Sequence, residues 1–90
     1  MTKEEIKKLM EEEIEYHMFE FDLEREEVLD VAIYNMIDRY MRDELSKEDL
    51  TMCADYLDME LNFDEIERRK EANRIRREKR KQKRLEKKKL

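Results

Sequence analysis

Apolar residues recur at helical spacing through the first two-thirds of the chain and then thin out. Ile6, Met10, Ile14, His17 and Phe21 fall on one stripe, and Leu29, Ala32, Ile33, Met36, Ile37 and Tyr40 fall on a second. Tyr34, Met41 and Leu45 add a flank to the second stripe, which marks that helix as the most buried. Leu50, Cys53, Ala54, Leu57 and Leu61 make a third, narrower stripe. After Ile66 only Ala72, Ile75, Leu85 and Leu90 remain, with no stripe among them.

Three helix starts share one design. Thr2 with Glu5, Ser46 with Asp49, and Asn62 with Glu65 have capping-box spacing. Each is bracketed by an apolar pair placed to staple the first turn: Met1 and Ile6, Leu45 and Leu50, Leu61 and Ile66. The cap oxygen satisfies an orphan backbone N–H, which is worth roughly 1 kcal/mol. Helix starts are therefore predicted near residues 3, 47 and 63. In "HMFEFDLEREE" the alternation of Phe19, Phe21 and Leu23 with acids is too short for a strand and has no partner elsewhere. It reads as a turn near Asp22, with Asp22 capping a second helix over about 23–44. The rival, one helix over 3–44, would run about 60 Å, more than a small core can cover.

The chain has no Gly and no Pro, so nothing forces an interior break and turns with positive φ lack their usual residue. The fold class is all-α: a small three-helix acidic bundle (residues 1–66) followed by a long, projecting basic C-terminal helix (residues 67–90). With nothing to pack against, that helix should fray toward Leu90 and is open to ordering only when bound.

Charge is split between these parts. Residues 1–67 hold 7 Lys+Arg and 23 Asp+Glu, a net −16, and residues 68–90 hold 14 and 3, a net +11. The whole-chain net of −5 describes neither part.

Candidate chemistry is sparse. There is no Gly-rich phosphate loop, and Ser46 is committed to a cap. Cys53 stands alone, so no internal disulfide can form, and it reads as a small core residue. Glu13 and His17 share a helix face, but no second Glu-x-x-His unit completes a metal site, and His17 reads as structural. No catalytic residue, cofactor or metal is expected. With no apolar leader or spanning segment, the chain reads as a soluble cytoplasmic protein without a membrane partner.

Two features point to partners. Arg68, Arg69, Lys70, Arg74, Arg76, Arg77, Lys79, Arg80, Lys81, Lys83 and Arg84 crowd a helix of about 35 Å, and they read as surrounding it. That charge density approaches a nucleic-acid backbone's and suits phosphate contact without sequence reading. The competing readings are self-association with the acidic half and a passive tail. Met52, Tyr56, Met59 and Phe63 follow 4-3-4 spacing about 150° from the third core stripe. They mark either a protein-docking face or packing under the fourth helix. The acidic body itself either mimics a duplex's phosphates or is a solvated surface.

The resulting expectation is a small non-enzymatic regulator or adaptor on a nucleic-acid-handling protein or ribonucleoprotein complex. Its bundle docks on protein and its tail on RNA or DNA. Phage or mobile-element inhibitors of host nucleases or polymerases are of this class. The alternatives are a stand-alone, sequence-indifferent RNA- or DNA-binding protein and a self-assembling structural protein. A homodimer is compatible with each.

Overall fold

The computed structural model describes residues 1–89 and consists of four helices, with no strand among the described residues. They are α1 (Lys3–Phe21), α2 (Arg25–Met41), α3 (Lys47–Tyr56) and α4 (Phe63–Lys89). All three predicted starts are in place. The Thr2 hydroxyl accepts from the Glu5 N–H while the Glu5 carboxylate accepts from the Thr2 N–H, a complete capping box. Ser46 accepts from the Asp49 N–H at 3.1 Å, and Asn62 from the Glu65 N–H at 3.2 Å.

Helix ends rest on a device the sequence reading missed. Asp22, Asp43 and Asp58 take the left-handed conformation, at φ of 52°, 60° and 55°. Each supplies the positive φ that glycine usually provides, with its short polar side chain easing the strain. The following N–H then turns back five residues: Leu23 to the Met18 carbonyl, Glu44 to Arg39 and Met59 to Ala54, at 3.2, 2.9 and 2.9 Å. This is the closing bond of a Schellman end. Asp22 therefore ends α1 rather than starting α2, and α2 begins at Arg25 with Glu24 at its N-cap making no side-chain cap bond. α2 also stops at Met41, short of residue 44.

α1, α2 and α3 pack on one another, and α4 packs mainly on α2, with Phe63 at its start meeting Lys47 of α3. The core joins Ile6, Met10 and Ile14 to Val28, Ala32, Ile33, Met36 and Tyr40, and to Leu45, Leu50, Cys53, Ala54 and Ile66. Val28, absent from the predicted stripe, is fully buried. Phe21 and Tyr34, placed in the core by spacing, are exposed. For Phe21 the reason is local, because the helix ends there.

One polar layer crosses the α1–α2 interface. Glu13 receives Arg39 at 3.0 Å on one oxygen and lies 3.1 Å from His17 Nε2 with the other. The Asn35 amide lies 2.8 Å from the same His17 nitrogen. His17 is only 7% exposed, in keeping with a structural role. Arg39 on Glu13 would oppose a metal ion there. Cys53 is fully buried, and desolvation pushes its thiol up to about 11, so it stays unreactive at neutral pH.

Candidate nucleic-acid interface

The basic segment is part of α4, whose first turn lies inside the bundle. Ile66 is buried in the core, so the first turn of α4 is anchored by packing. The root is then fastened to the last turn of α2. The Tyr40 hydroxyl donates to the Glu67 carboxylate, which pushes the phenol up to about 12. Lys70 Nζ reaches Asp43 Oδ1 at 2.8 Å and sits 4.1 Å above the Tyr40 ring. The ammonium holds the Asp43 carboxyl below its ordinary range. The Asn73 amide donates to Met41 Sδ at 3.9 Å, and Arg77 donates to the Met41 carbonyl at 3.4 Å. Arg77 thus meets the negative end of the α2 dipole.

Beyond Arg77 no hydrogen bond or ion pair ties α4 to the bundle among the described residues. The 27-residue helix is about 40 Å long at 1.5 Å per residue. It sets the long dimension of a molecule measuring 53 × 28 × 21 Å.

The predicted cations fall into three groups. Arg68 donates to the Asp64 carbonyl, Arg69 pairs with Glu65, and Lys70 and Arg77 hold the root. Arg74 is gripped by Glu71 and Glu78, which raises its pKa and depresses that of Glu71. Arg76, Lys79, Arg80, Lys81, Lys83 and Arg84 are exposed, and none has an ion-pair partner among the described residues.

These cations are spread unevenly around the helix. At 100° per residue, every Lys and Arg from Arg69 to Lys87 falls within an arc of about 220°. The remaining strip holds Glu71, Ile75, Glu78, Gln82, Leu85 and Glu86. Within residues 69–87 it holds no cation, but Arg68 projects level with Glu86; Ile75 and Leu85 in it are 41% and 60% exposed. The charged face continues the face that docks on α2: Ile66, Lys70, Asn73 and Arg77 lead in 4-3-4 steps to Arg80 and Arg84. One line of the helix is apolar in the bundle, hydrogen-bonded at the root and open beyond it.

Met52, Tyr56, Met59 and Phe63 do not share a helix face. α3 ends at Tyr56, Met59 closes the Schellman end, and Phe63 opens α4. All four are partly buried against the core. Phe63 lies under Lys47, whose ammonium is 5.1 Å from the ring centroid. Met52 and Tyr56 still meet, lining a shallow depression of about 260 Å³ with Lys3, Ile6 and Asp55.

The Tyr56 hydroxyl also donates to Glu11, which Arg25 grips with two bonds of 2.8 and 2.7 Å. The Arg25 guanidinium and then the Tyr56 hydroxyl hold the Glu11 carboxyl down to about 2. A depressed carboxyl adds stability above its unfolded pKa and loses it as pH falls through the folded one. Melting temperature should therefore drop between about pH 4.5 and pH 2, and Glu11→Gln should flatten that drop. Thermal unfolding by circular dichroism across this range checks it, and an unchanged acid limb in the variant would contradict it.

The largest exposed aromatics lie elsewhere: Tyr16, Phe19 and Phe21 on α1, and Tyr34 on α2. The signal for α1 was Tyr16 and Phe19 at i, i+3 off the core stripe; the short strand-like alternation masked it. Comparison with family models, curated proteins and solved structures finds no match to this chain. No helix among the described residues is long and apolar enough to cross a membrane.

Proposed function

We propose that this protein is a non-enzymatic adaptor. Residues 74–87 of α4 grip the phosphate backbone of RNA or DNA and hold the acidic bundle beside the protein machinery on that nucleic acid. One observation carries the reading: six exposed cations without ion-pair partners among the described residues project from the open part of a helix whose root is fixed to α2. A preformed arm spends less conformational entropy on binding than a floppy tail. The absence of any aromatic on the arm suits backbone contact rather than base stacking.

The body's −16 charge supports the same assignment of roles. Phosphates repel the bundle, so bound protein is oriented arm-inward with the bundle outward. The Met52 and Tyr56 depression then offers a small apolar foothold for protein. A regulator of a nuclease or polymerase, of the kind mobile elements encode, has this two-sided build.

Fluorescence anisotropy with a labelled duplex tests the arm. The full chain should bind with log K falling against log salt at a slope of about −5, for five or six neutralised phosphates. A chain ending at Asn73 should bind at least about 100-fold more weakly. Absence of binding by the full chain at low salt would overturn the reading.

A further inference from the structure

The outer face of α1 carries a surface unlike the rest of the molecule. Phe19 is 88% exposed and Tyr16 59% exposed, one turn apart. Phe19 lies roughly opposite the Ile6, Met10, Ile14 and His17 core line at 100° per residue. Glu12, Glu15 and Glu20 are exposed around the two rings. No Lys or Arg occurs between Lys8 and Arg25, and Arg25 is occupied by Glu11. Two rings bordered by carboxylates, with no cation among them, form a surface for a cationic ligand: the ring faces attract it and the carboxylates neutralise it.

The fold already contains one such arrangement. At the root of the arm, Lys70 lies 4.1 Å above the Tyr40 ring while its ammonium meets Asp43 at 2.8 Å. Tyr40 and Asp43 seat a cation of α4 by stacking and ion pairing together. Tyr16 and Phe19, with Glu12, Glu15 and Glu20, repeat that chemistry on α1 without an occupant. The open part of the arm is the complementary piece, with Arg76, Arg80 and Arg84 able to stack on the rings as well as pair with the acids.

A molecule's own arm does not reach this surface. α4 packs on α2, makes no contact with α1 among the described residues, and is fixed at Glu67, Lys70 and Arg77. We infer that the Tyr16 and Phe19 surface binds the basic arm of a second copy of the chain. The two patches differ, so the contact is head-to-tail and propagates into chains or closes into rings. Because the arm's cations serve both uses, phosphate backbone and second copy compete for it, and nucleic acid should dissolve the assembly. The inference does not rest on the nucleic-acid reading, since the arm can pair with α1 whether or not it binds phosphate.

Sedimentation velocity on nuclease-treated full chain, at low and high salt, is the test. Wild-type protein should form concentration-dependent oligomers at low salt that become monomers at high salt. The double variant Tyr16→Ser, Phe19→Ser should be monomeric at low salt, and so should the full-length variant Arg76→Gln, Arg80→Gln, Lys83→Gln, Arg84→Gln. Mixed together, these two should form a complex of one of each and stop there, because one supplies the arm and the other the surface. All the changed residues are exposed, so unchanged helicity by circular dichroism shows that the fold is kept. A wild-type monomer at low salt, oligomers that survive the double substitution, or a mixture that stays monomeric would each overturn the inference. The double variant's affinity for a labelled duplex is read separately. Measured below the concentration at which the wild type assembles, unchanged affinity keeps the two readings apart, and lost affinity would place Tyr16 and Phe19 in the nucleic-acid contact and overturn the present one.

Discussion

Changing Arg76, Arg80, Lys83 and Arg84 together to Gln should lower affinity for a nucleic-acid duplex by about 100- to 1,000-fold near physiological salt. These four are exposed, make no ion pair among the described residues and sit within the charged arc of α4. None belongs to the root, so the helix and its docking on α2 should persist, and circular dichroism should show it. Each phosphate neutralised releases condensed counterions, so removing four contacts should also flatten the salt dependence by about 3 to 4 in slope. The opposite strip supplies the control. Glu71, Glu78 and Glu86 face away from the charged arc, and exchanging them for Gln should raise affinity modestly by removing like charge. Anisotropy titrations at several salt concentrations separate the outcomes. A gain per glutamate removed as large as the loss per cation removed would mean that only the net charge of the arm matters and not its sidedness.

The second large effect concerns the platform. Ile14 is fully buried where α1 meets the rest of the core. Ile14→Ala should destabilise by about 2–5 kcal/mol through lost burial and the cavity left behind. For a domain of this size that is a large part of roughly 5–13 kcal/mol. The melting temperature should fall by about 8–40 °C, at 4–8 °C per kcal/mol. Ile75→Ala, on the exposed strip of the arm, should change stability by less than about 0.5 kcal/mol. The loss should reach the arm too. A basic helix detached from its buried Ile66 and its clamps at Tyr40 and Asp43 keeps only marginal helicity in water. Thermal scans of both variants, followed by circular dichroism, measure this directly.

Helix starts were legible because caps and staples are local. Thr2, Ser46 and Asn62 each announce a start within six residues, and each was found at its place. Helix ends were not legible, because the usual signal is glycine and the chain has none. Asp22, Asp43 and Asp58 do that work, yet aspartate is so abundant here that no single one stands out. The missed end at Asp58 had the largest consequence. Running α3 on past Tyr56 turned Met52, Tyr56, Met59 and Phe63 into a false stripe across a turn and two helices.

The arm was legible as charge but not as geometry. A count of Lys and Arg finds it at once, whereas its sidedness and its fastening to Tyr40, Met41 and Asp43 require the neighbouring helix to be in place. Phe19 escaped notice because an exposed aromatic differs from a buried one only by its angle to the core line. That angle depends on where α1 ends.

The most direct measurement is a nuclear magnetic resonance titration of isotope-labelled protein with an RNA hairpin or DNA duplex. It is best made on the Tyr16→Ser, Phe19→Ser variant, whose arm has no second-copy surface to leave. Amide shift changes should concentrate at residues 74–87 and fade through the root, with α1 and α3 unmoved. Changes centred on the bundle, or none at low salt, would contradict the assignment of α4 as the nucleic-acid arm.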